Sequence, residues 1–541
     1  MVVAAARIAH PYMRRVSSCL LRSIACASLL LGSACAAPPE QPAAPVAASP
    51  STAGAVLKID SGALQGAVDG DVVAYKNIPY AAPPVGNLRW HAPMPPASWT
   101  GVRDATRYGN DCMQNRMSWD KTASPQPVSE DCLYLNVWKP ASAAAGGKLP
   151  VMVWIYGGGF VSGSATAPVT DGARLAARGV VLVSFNYRVG RFGFFAHPAL
   201  SHEPGHGLLG NYGLMDQIAA LKWVQRNIAA FGGDPSNVTI FGESAGGESV
   251  NYLMLADQAR GLFAKAYSQS GGGRTPWPML ADDLPDRPSA ETAGRKFADK
   301  FKIKDDDLAA LRALPADKVL GSVNMINNEN GSFSGPMIDG ALVTMAVADG
   351  FAAGKQARVP YINGTNSNEL GFLPGFMLHI ASKKMAEQFK FDVDPMIAAY
   401  GSKDAFEDHF ASDLTFVEPS HFLAAAASRV QPTYLLRFAY VTKANDKGQG
   451  AAHATDVPYS FGNLMATGDT IADVDRDQAR LWGDYLVAFA RNGVPKAGTT
   501  TWVPYTEKAN QLNEFSADGL KPISADLPGL KAITQHFGTR S

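Results

Sequence analysis

The chain has 541 residues, of which 46% are hydrophobic and 18% charged, and its formal net charge at pH 7 is zero. That apolar content excludes an intrinsically disordered chain, because disordered segments lack the hydrophobic residues whose burial offsets the entropy of folding. The balanced charge argues against nucleic acid as a partner, since phosphate binding requires concentrated Lys and Arg. The length alone predicts three or four domains at roughly 150 residues each.

The N-terminus has the order of a secretory signal. Arginines come first, then an apolar run, then small residues: Arg14, Arg15 and Arg22, residues 24–31, and Ala34-Cys35-Ala36. A basic segment, an apolar core and a small-residue cleavage site are what such signals require. The apolar run is too short to span a bilayer. We therefore expect residues 1–35 to be a signal peptide and the mature chain to carry no membrane span.

Two details of this segment are left open by its residues. Met1 and Met13 are both candidate start sites, because a signal that begins at Met13 is more compact. Cleavage after the small residues and lipidation of Cys35, within a lipoprotein-like box, are alternatives. Residues 36–54 are almost wholly Ala, Pro and Ser, which predicts a tether without a core of its own. The chain is expected to be exported, as a periplasmic, secreted or lipid-tethered protein.

Removing the signal changes both the charge and the cysteine count. Residues 1–35 contain four arginines and no acidic residue, so the mature chain has 44 basic and 48 acidic residues, a net charge of −4. They also contain three of the five cysteines. The remaining pair, Cys112 and Cys132, favours a disulfide in an exported chain, with two free buried thiols as the alternative.

From residue 55 onward the chain is predicted to form one α/β domain, 55–541, because no second Pro/Ser linker, charge block or repeat interrupts it. In chain order the predicted elements are strands 151–156 and 180–185, helix 214–228 closed by Gly232-Gly233, strand 238–241, helix 248–255, and strands 359–362 and 434–440. Continuously apolar strands alternating with periodic helices indicate a mostly parallel central sheet covered by helices on both faces.

The segment Gly242-Glu243-Ser244-Ala245-Gly246 lies between a predicted strand and a predicted helix. This is the context that the G-x-S-x-G pentapeptide requires, since the serine then sits on a tight turn with its hydroxyl exposed above the sheet. In a chain with 52 glycines the pentapeptide alone would indicate only a structural turn. With its flanking elements, it predicts Ser244 as a nucleophile.

A run of three glycines, residues 157–159, follows the strand at 151–156. Backbone without side chains can turn its N–H groups toward the oxyanion of an acyl-transfer reaction. We expect the N–H groups of Gly158, Gly159 and Ala245 to form this oxyanion hole. A phosphate-binding loop is the alternative, but the Lys-Ser/Thr that a P-loop demands does not follow.

These segments resemble the characteristic segments of type-B carboxylesterases, the carboxylesterase/cholinesterase branch of the α/β-hydrolase fold. The resemblance rests on residues 154–160 (Trp-Ile-Tyr-Gly-Gly-Gly-Phe), 130–136, 241–247, 77–81 with 88–90, and 186–190. It extends from about residue 56 to Tyr505. It implies a mostly parallel sheet with helices on both faces, insertions that form a gorge and lid, and ester hydrolysis. The histidines show no metal-ligand spacing, and no residue pattern suggests a cofactor.

The resemblance also implies a Ser–Glu–His triad in that chain order. Ser244 is then the nucleophile, Glu369 in the polar loop after strand 359–362 is the acid, and His453 in the loop after strand 434–440 is the base. Asp339 and Asp456 are competing acids. Asp339 is better explained as a turn residue, and Asp456 is too close to His453 in sequence to pair with it across the site.

Further residues are candidates only through the resemblance. The bridge between Cys112 and Cys132 matches the family's first disulfide, and Trp119 inside that loop could line the gorge. Ser270 resembles a serine that lies near the triad, although an ordinary strand-end hydroxyl is an equal alternative. Arg274 and Trp277 lie where the family places part of its acyl pocket, and Arg274 could bind a substrate carboxylate. The simpler interpretation is that Arg274 is a solvent-exposed loop residue.

The preferred function is a secreted or periplasmic serine carboxylesterase that forms an acyl-enzyme on a small-molecule ester. Esters of polycarboxylic acids are the candidate substrate class. The same triad would serve hydrolysis of lactones, thioesters or amides. A non-catalytic adhesion or binding member of the family is the alternative from another class. The intact set of nucleophile, acid, base and glycine loop argues against it. The short interval between Glu369 and His453 predicts a trimmed lid region and a more open gorge than in the animal enzymes.

Overall fold

The computed structural model describes residues 52–117, 123–205 and 207–538. The predicted signal peptide, the candidate lipidation site Cys35, nearly all of the predicted tether and the candidate gorge residue Trp119 lie outside these ranges. Within them, every helix is either too short or too polar to cross a bilayer.

The strands of the described residues are β1 (Thr52–Ile59), β2 (Gly62–Asp69), β3 (Val72–Pro79), β4 (Val102–Asp104), β5 (Asp111–Cys112), β6 (Val128–Ser129), β7 (Tyr134–Pro140), β8 (Leu149–Ile155), β9 (Val181–Phe185), β10 (Gly233–Glu243), β11 (Lys265–Gln269), β12 (Tyr361–Asn366), β13 (Thr433–Phe438), β14 (Lys496–Ala497), β15 (Thr500–Thr501), β16 (Gln511–Ser516) and β17 (Gly519–Ser524).

The α-helices are α1 (Ala173–Ala176), α2 (Gly190–Gly193), α3 (Pro198–Ser201), α4 (Tyr212–Asn227), α5 (Ala245–Leu255), α6 (Ala290–Ala298), α7 (Leu308–Arg312), α8 (Ala316–Leu320), α9 (Val347–Ala352), α10 (Gly375–Gln388), α11 (Val393–Tyr400), α12 (Lys403–Ser412), α13 (Glu418–Ser428), α14 (Asp456–Phe461), α15 (Asp473–Asn492) and α16 (Leu530–Gly538). A π-helix, Asp413–Val417, joins α12 to α13.

One large mixed sheet organises the domain, in the order β1-β2-β3-β7-β9-β8-β10-β11-β12-β13-β16-β17. From β9 to β16 every neighbouring pair is parallel. The outer strands of this path pair antiparallel, and the short β4, which lies off the path, pairs parallel with β2. Every residue of β9 and β12 is buried, so both faces of the centre are covered. Helix α5 packs on β10 and β11, and α15 packs on β8 and β10. The predicted fold class is confirmed.

Two element boundaries differ from prediction for physical reasons. Helix α4 ends at Asn227 and continues as one 3₁₀ turn, until Gly232 takes a left-handed φ of +86° and strand β10 begins at Gly233. Strand β12 extends through polar residues that were expected to form a loop. Its Asn363 exchanges hydrogen bonds with Ser420 of α13, so the amide is satisfied inside the sheet.

Helices α10, α11 and α12 form an insert between β12 and β13, which we call the helical insert (residues 375–412). The insert has an apolar core of its own, completed by a residue of the C-terminal helix α16: Leu378, Met385, Met396, Phe406, Phe410 and Ile533. The π-helix belongs to the same core through Leu414 and Phe416. The insert therefore packs as a separate apolar layer beside the sheet.

Two covalent or ionic contacts tie distant segments of the sheet region together. The disulfide predicted between Cys112 and Cys132 is present. Arg188, just after β9, donates from Nε and Nη2 to both carboxylate oxygens of Asp216 on α4, at 2.8 Å each. The side chains of this pair are 2% and 0% exposed. Such a buried pair leaves an uncompensated charge in the core if one partner is removed.

We predict that Asp216→Ala lowers the free energy of unfolding by about 3–5 kcal/mol, because the guanidinium of Arg188 would stay buried without its counter-ion. Asp60→Ala is the matched control, since Asp60 forms an exposed ion pair with Arg226 and exposed pairs contribute less than about 1 kcal/mol. Denaturant unfolding followed by tryptophan fluorescence measures both. Equal losses for the two variants would contradict the prediction.

Candidate functional site

Ser244 lies on the turn between β10 and α5 with φ +56° and ψ −124°, a backbone conformation that few non-glycine residues adopt. Glycines on either side permit the turn. A Cβ on Gly246 would collide with the carbonyl oxygen of Ile155 on β8, and a Cβ on Gly242 with the carbonyl of Gly246. Strand and helix can therefore approach closely only with hydrogen at these two positions. The turn leaves the Ser244 side chain partly accessible at the carboxyl edge of the sheet.

Glu369 and His453 follow β12 and β13, which are neighbouring parallel strands. The carboxyl ends of parallel strands share one edge of a sheet, and the structure brings the two residues together there. His453 Nδ1 lies 2.6 Å from Glu369 Oε2, and the His453 backbone N–H donates to the Glu369 carbonyl at 3.0 Å. The carboxylate can therefore fix both the orientation and the tautomer of the imidazole.

The Glu369 carboxyl is almost fully buried and its second oxygen is also satisfied. Oε1 accepts hydrogen bonds from the hydroxyl of Ser270, at 2.6 Å, and from the backbone N–H of Asn366, at 2.7 Å. Ser270 follows β11, so the structure places this candidate directly behind the acid. These two donors fix the position of the carboxyl behind the imidazole.

His453 Nε2 lies 3.0 Å from Glu243 Oε1. Among the described side chains, Ser244 Oγ has no hydrogen bond to His453 in this arrangement. Burial alone would lower the pKa of His453, but the carboxylates of Glu243 and Glu369 outweigh burial and raise it to about 9. Two carboxylates beside the ring nitrogens favour the protonated form of the imidazole. Sequence reasoning missed this role of Glu243, although the residue stands beside Ser244 in the pentapeptide.

The glycine loop passes directly over the nucleophile turn. A Cβ on Gly157 would lie 2.6 Å from the Glu243 carbonyl oxygen and 2.9 Å from Ser244 Cβ. Gly158 and Gly159 have φ of +95° and +62°, which side chains rarely permit. Within the described part of the chain, the N–H groups of Gly158, Gly159 and Ala245 donate to no protein acceptor. All three N–H groups therefore stay candidates for binding an oxyanion.

The two other candidate acids, Asp456 and Asp339, accept hydrogen bonds from groups other than His453. Asp456 accepts hydrogen bonds from the side-chain amides of Gln269 and Asn366 and makes none to His453. Burial raises the pKa of Asp456. Asp339 Oδ1 accepts from three successive backbone N–H groups, those of residues 341, 342 and 343, which is the arrangement of a turn.

The pocket candidates Arg274 and Trp277 each pair with a buried glutamate. Arg274 donates from Nε and Nη2 to both oxygens of Glu418, at 3.0 and 2.6 Å, and lies over the ring of Phe422. Trp277 donates from Nε1 to Glu248 Oε1 at 2.8 Å. Burial raises the pKa of Glu248 to about 7. Glu248 lies one helical turn after Ser244 and was not singled out by its sequence.

A cavity of about 90 Å³ with a mixed polar and apolar lining lies beside Glu243 and the glycine loop. Its polar lining includes Gln114, Arg116, Ser124, Ser162, Ser164 and Thr170. At about 30 Å³ per water molecule, the volume suits a few waters or a small polar group. In the described ranges, no group of three or more His, Cys, Asp or Glu side chains is arranged to hold a metal ion.

Comparison with known proteins gives consistent results. A sequence model described as "Carboxylesterase family" matches residues 53–404 and 399–524. The fumonisin B1 esterase of Sphingopyxis macrogoltabida is 35% identical over 90% of this chain and 92% of its own. The para-nitrobenzyl esterase of Bacillus subtilis (strain 168) is 35% identical over 84% of this chain and 94% of its own. A solved PNB esterase structure superimposes with a TM-score of 0.75 at 31% identity, covering 89% of this chain and 99% of that one.

We predict that Glu243→Gln lowers the pKa of His453, because removing a carboxylate next to Nε2 destabilises the imidazolium more than the neutral ring. The neutral imidazole then appears at lower pH than in the parent protein. Nitrogen chemical shifts of ¹⁵N-histidine-labelled protein, followed through a pH titration, measure the change. The exposed acid variant Glu507→Gln is the control and should leave His453 unchanged. An unaltered His453 titration in Glu243→Gln would contradict the prediction.

Proposed function

Because the chain belongs to the carboxylesterase family, we propose that it hydrolyses small-molecule carboxylic esters through an acyl-enzyme formed on Ser244. That it is a carboxylic-ester hydrolase follows from its relatives. The mechanism is supported above all by one observation. The strained Ser244 turn, the glycine loop and the hydrogen-bonded pair of Glu369 and His453 meet at one edge of the sheet.

In the proposed acylation step, Ser244 Oγ attacks the ester carbonyl while His453 Nε2 accepts its proton. The negative charge that develops on the carbonyl oxygen is held by the N–H groups of Gly158, Gly159 and Ala245. When the tetrahedral intermediate collapses, the C–O bond breaks and His453 returns the proton to the leaving alcohol. Water then attacks the acyl-enzyme by the same route, and Ser244 regains its proton as the acid is released.

The two glutamates next to His453 have different parts in this scheme. Glu369 stays bonded to Nδ1 throughout, so Nε2 is the nitrogen that exchanges protons. Glu243 competes with Ser244 for Nε2. While Nε2 carries a proton directed at Glu243, it has no lone pair with which to accept the proton of Ser244. Loss of that proton frees the Nε2 lone pair. The rate of acylation at limiting ester should therefore rise as His453 loses its proton.

Esters of polycarboxylic acids stay a prediction for the substrate. One relative is named for fumonisin B1 and another for a para-nitrobenzyl ester, so the family accommodates different ester classes. The proposed cation, Arg274, is already bonded through Nε and Nη2 to the buried Glu418. A substrate carboxylate would meet only its Nη1 edge, and the charge there is largely neutralised. Lactones, thioesters and amides would use the same nucleophile and base.

Export is also part of the proposal. The signal-like residues 1–35 and the Ala/Pro/Ser segment 36–54 support it. The disulfide between Cys112 and Cys132 supports it further, because structural disulfides persist in oxidising compartments. A periplasmic, secreted or lipid-tethered esterase is consistent with all three observations.

We predict that Ser244→Ala lowers kcat/KM for short p-nitrophenyl esters at least about 1,000-fold, since no other group can form the acyl-enzyme. Stopped-flow release of p-nitrophenol and intact-protein mass spectrometry measure turnover and the acyl adduct. Ser249→Ala is the matched control, because Ser249 lies on the same helix and its hydroxyl bonds the Ala245 carbonyl. Hydrolysis or an acyl adduct that survives in Ser244→Ala would refute the mechanism.

A second variant tests the substrate prediction. Because Arg274 is paired with Glu418, we expect Arg274→Ala to lower kcat/KM by the same factor for p-nitrophenyl acetate and for a p-nitrophenyl ester of a tricarboxylic acid. Phe422→Leu, which alters the ring under Arg274 and leaves the charge, is the control for packing. A loss confined to the tricarboxylic ester would instead assign Arg274 to substrate binding.

A further inference from the structure

The face of the His453 ring is covered by the ring of Phe416. The two ring centroids lie 4.6 Å apart and the planes are tilted by 35°. Phe416 is itself 8% exposed and belongs to the apolar core of the helical insert. Glu369 and Glu243 contact the two nitrogens at the edge of the ring, whereas Phe416 packs on its face. Nothing in the proton-transfer scheme accounts for this third contact.

Phe416 reaches His453 from the π-helix between α12 and α13. A π-helix carries one more residue per turn than an α-helix, and such turns occur frequently at functional sites. The extra residue changes the direction in which the following side chains point. Here the turn begins at Asp413, whose carboxylate accepts a hydrogen bond from Tyr400 at 2.8 Å. Thr415 Oγ1 donates to the Ala411 carbonyl at 2.8 Å, which closes the turn from within.

The same segment also holds the loop that carries the acid. Ser412, the last residue of α12, accepts a hydrogen bond through Oγ from the backbone N–H of Leu370 at 3.1 Å. Leu370 is the residue after Glu369. The end of the helical insert therefore contacts both the Glu369 loop, through Ser412, and the His453 ring, through Phe416.

We propose that Phe416 is a positioning residue for His453, and that the π-helix is the device that places it there. Because Nδ1 is hydrogen-bonded to Glu369, the motion left to the imidazole is a rotation that moves Nε2 between Glu243 and Ser244. The Phe416 ring blocks this rotation on one side of the imidazole. Its ring face also favours the cationic form of His453, because the face of an aromatic ring attracts positive charge.

This inference rests on the proposed function, in which His453 accepts the Ser244 proton. The charged groups around the imidazole are Glu243, Glu369 and Asp456, and Phe416 is the uncharged group stacked on it. Removing the ring should therefore act on the proton-transfer step and on the His453 titration. Ester binding should change little, since the acyl group is held by Ser244 and the glycine loop.

The test compares Phe416→Leu with Phe410→Leu. Both remove one ring from the same apolar core, but Phe410 contacts Phe391 and Phe406 instead of His453. With p-nitrophenyl acetate, we expect Phe416→Leu to lower kcat about three- to tenfold with little change in KM. The rising limb of the kcat/KM pH profile should move to lower pH. Phe416→Tyr, which keeps the ring, should restore both, and Phe410→Leu should alter only thermal stability.

The outcomes are separable from those of the main mechanism. If Ser244→Ala retains activity, the acyl-enzyme mechanism itself fails. If Ser244→Ala is inactive but Phe416→Leu matches Phe410→Leu in kcat, pH profile and ¹⁵N-histidine titration, then Phe416 has only a packing role and the inference is overturned. Failure of Phe416→Tyr to restore kcat would likewise overturn it, because the contact proposed is the ring face.

Discussion

The packing of a glycine turn against strand β8 is the constraint on which the site depends. Strand β10 reverses into α5 so tightly that Gly246 lies against the carbonyl of Ile155. The reversal forces Ser244 to a positive φ, at a cost of about 1–3 kcal/mol that the surrounding packing must offset. In return, the serine hydroxyl lies at the sheet edge under a loop that also needs glycine, since Gly157 abuts the Glu243 carbonyl.

The strand order then assembles the rest of the site. Strands β10, β11, β12 and β13 are neighbours in the sheet and run parallel. Ser244, Ser270, Glu369 and His453 follow these four strands in the same order. Their loops leave one edge, so the hydrogen bonds repeat the order of the strands, and Glu369 accepts one from the Ser270 hydroxyl and one from His453 Nδ1. Residues far apart in sequence are brought together by topology, with the acid buried between its two partners.

Local patterns were sufficient for the centre of the sheet and for the serine turn, because apolar runs and glycine spacing are properties of neighbouring residues. Glu369 and His453 needed the family resemblance, since many polar loops contain such residues. The remaining contacts depend on segments that only the fold brings together. Strand β12 extends to Asn366 because Asn363 finds a partner in α13. The contact of Glu243 with His453, and that of Phe416 on its ring, have no pattern in the sequence that could have predicted them.

The carboxylates around His453 limit how this residue could act as the proposed base. The carboxylates of Glu243 and Glu369 raise the pKa of His453 and so favour its protonated form. A higher pKa makes the neutral form of a general base a stronger proton acceptor, but the gain in rate is less than tenfold for each pKa unit. At a pH below the pKa, the population of that neutral form falls tenfold for each unit. In the proposed mechanism, contact with Glu243 would therefore hinder the first proton transfer and would stabilise His453 only after it has taken the serine proton. In the proposed mechanism, Nε2 would leave Glu243 for Ser244 during acylation, and the imidazolium would regain Glu243 afterwards. The Phe416 ring, packed on one face of the imidazole, would limit that exchange on one side under the inference drawn for Phe416.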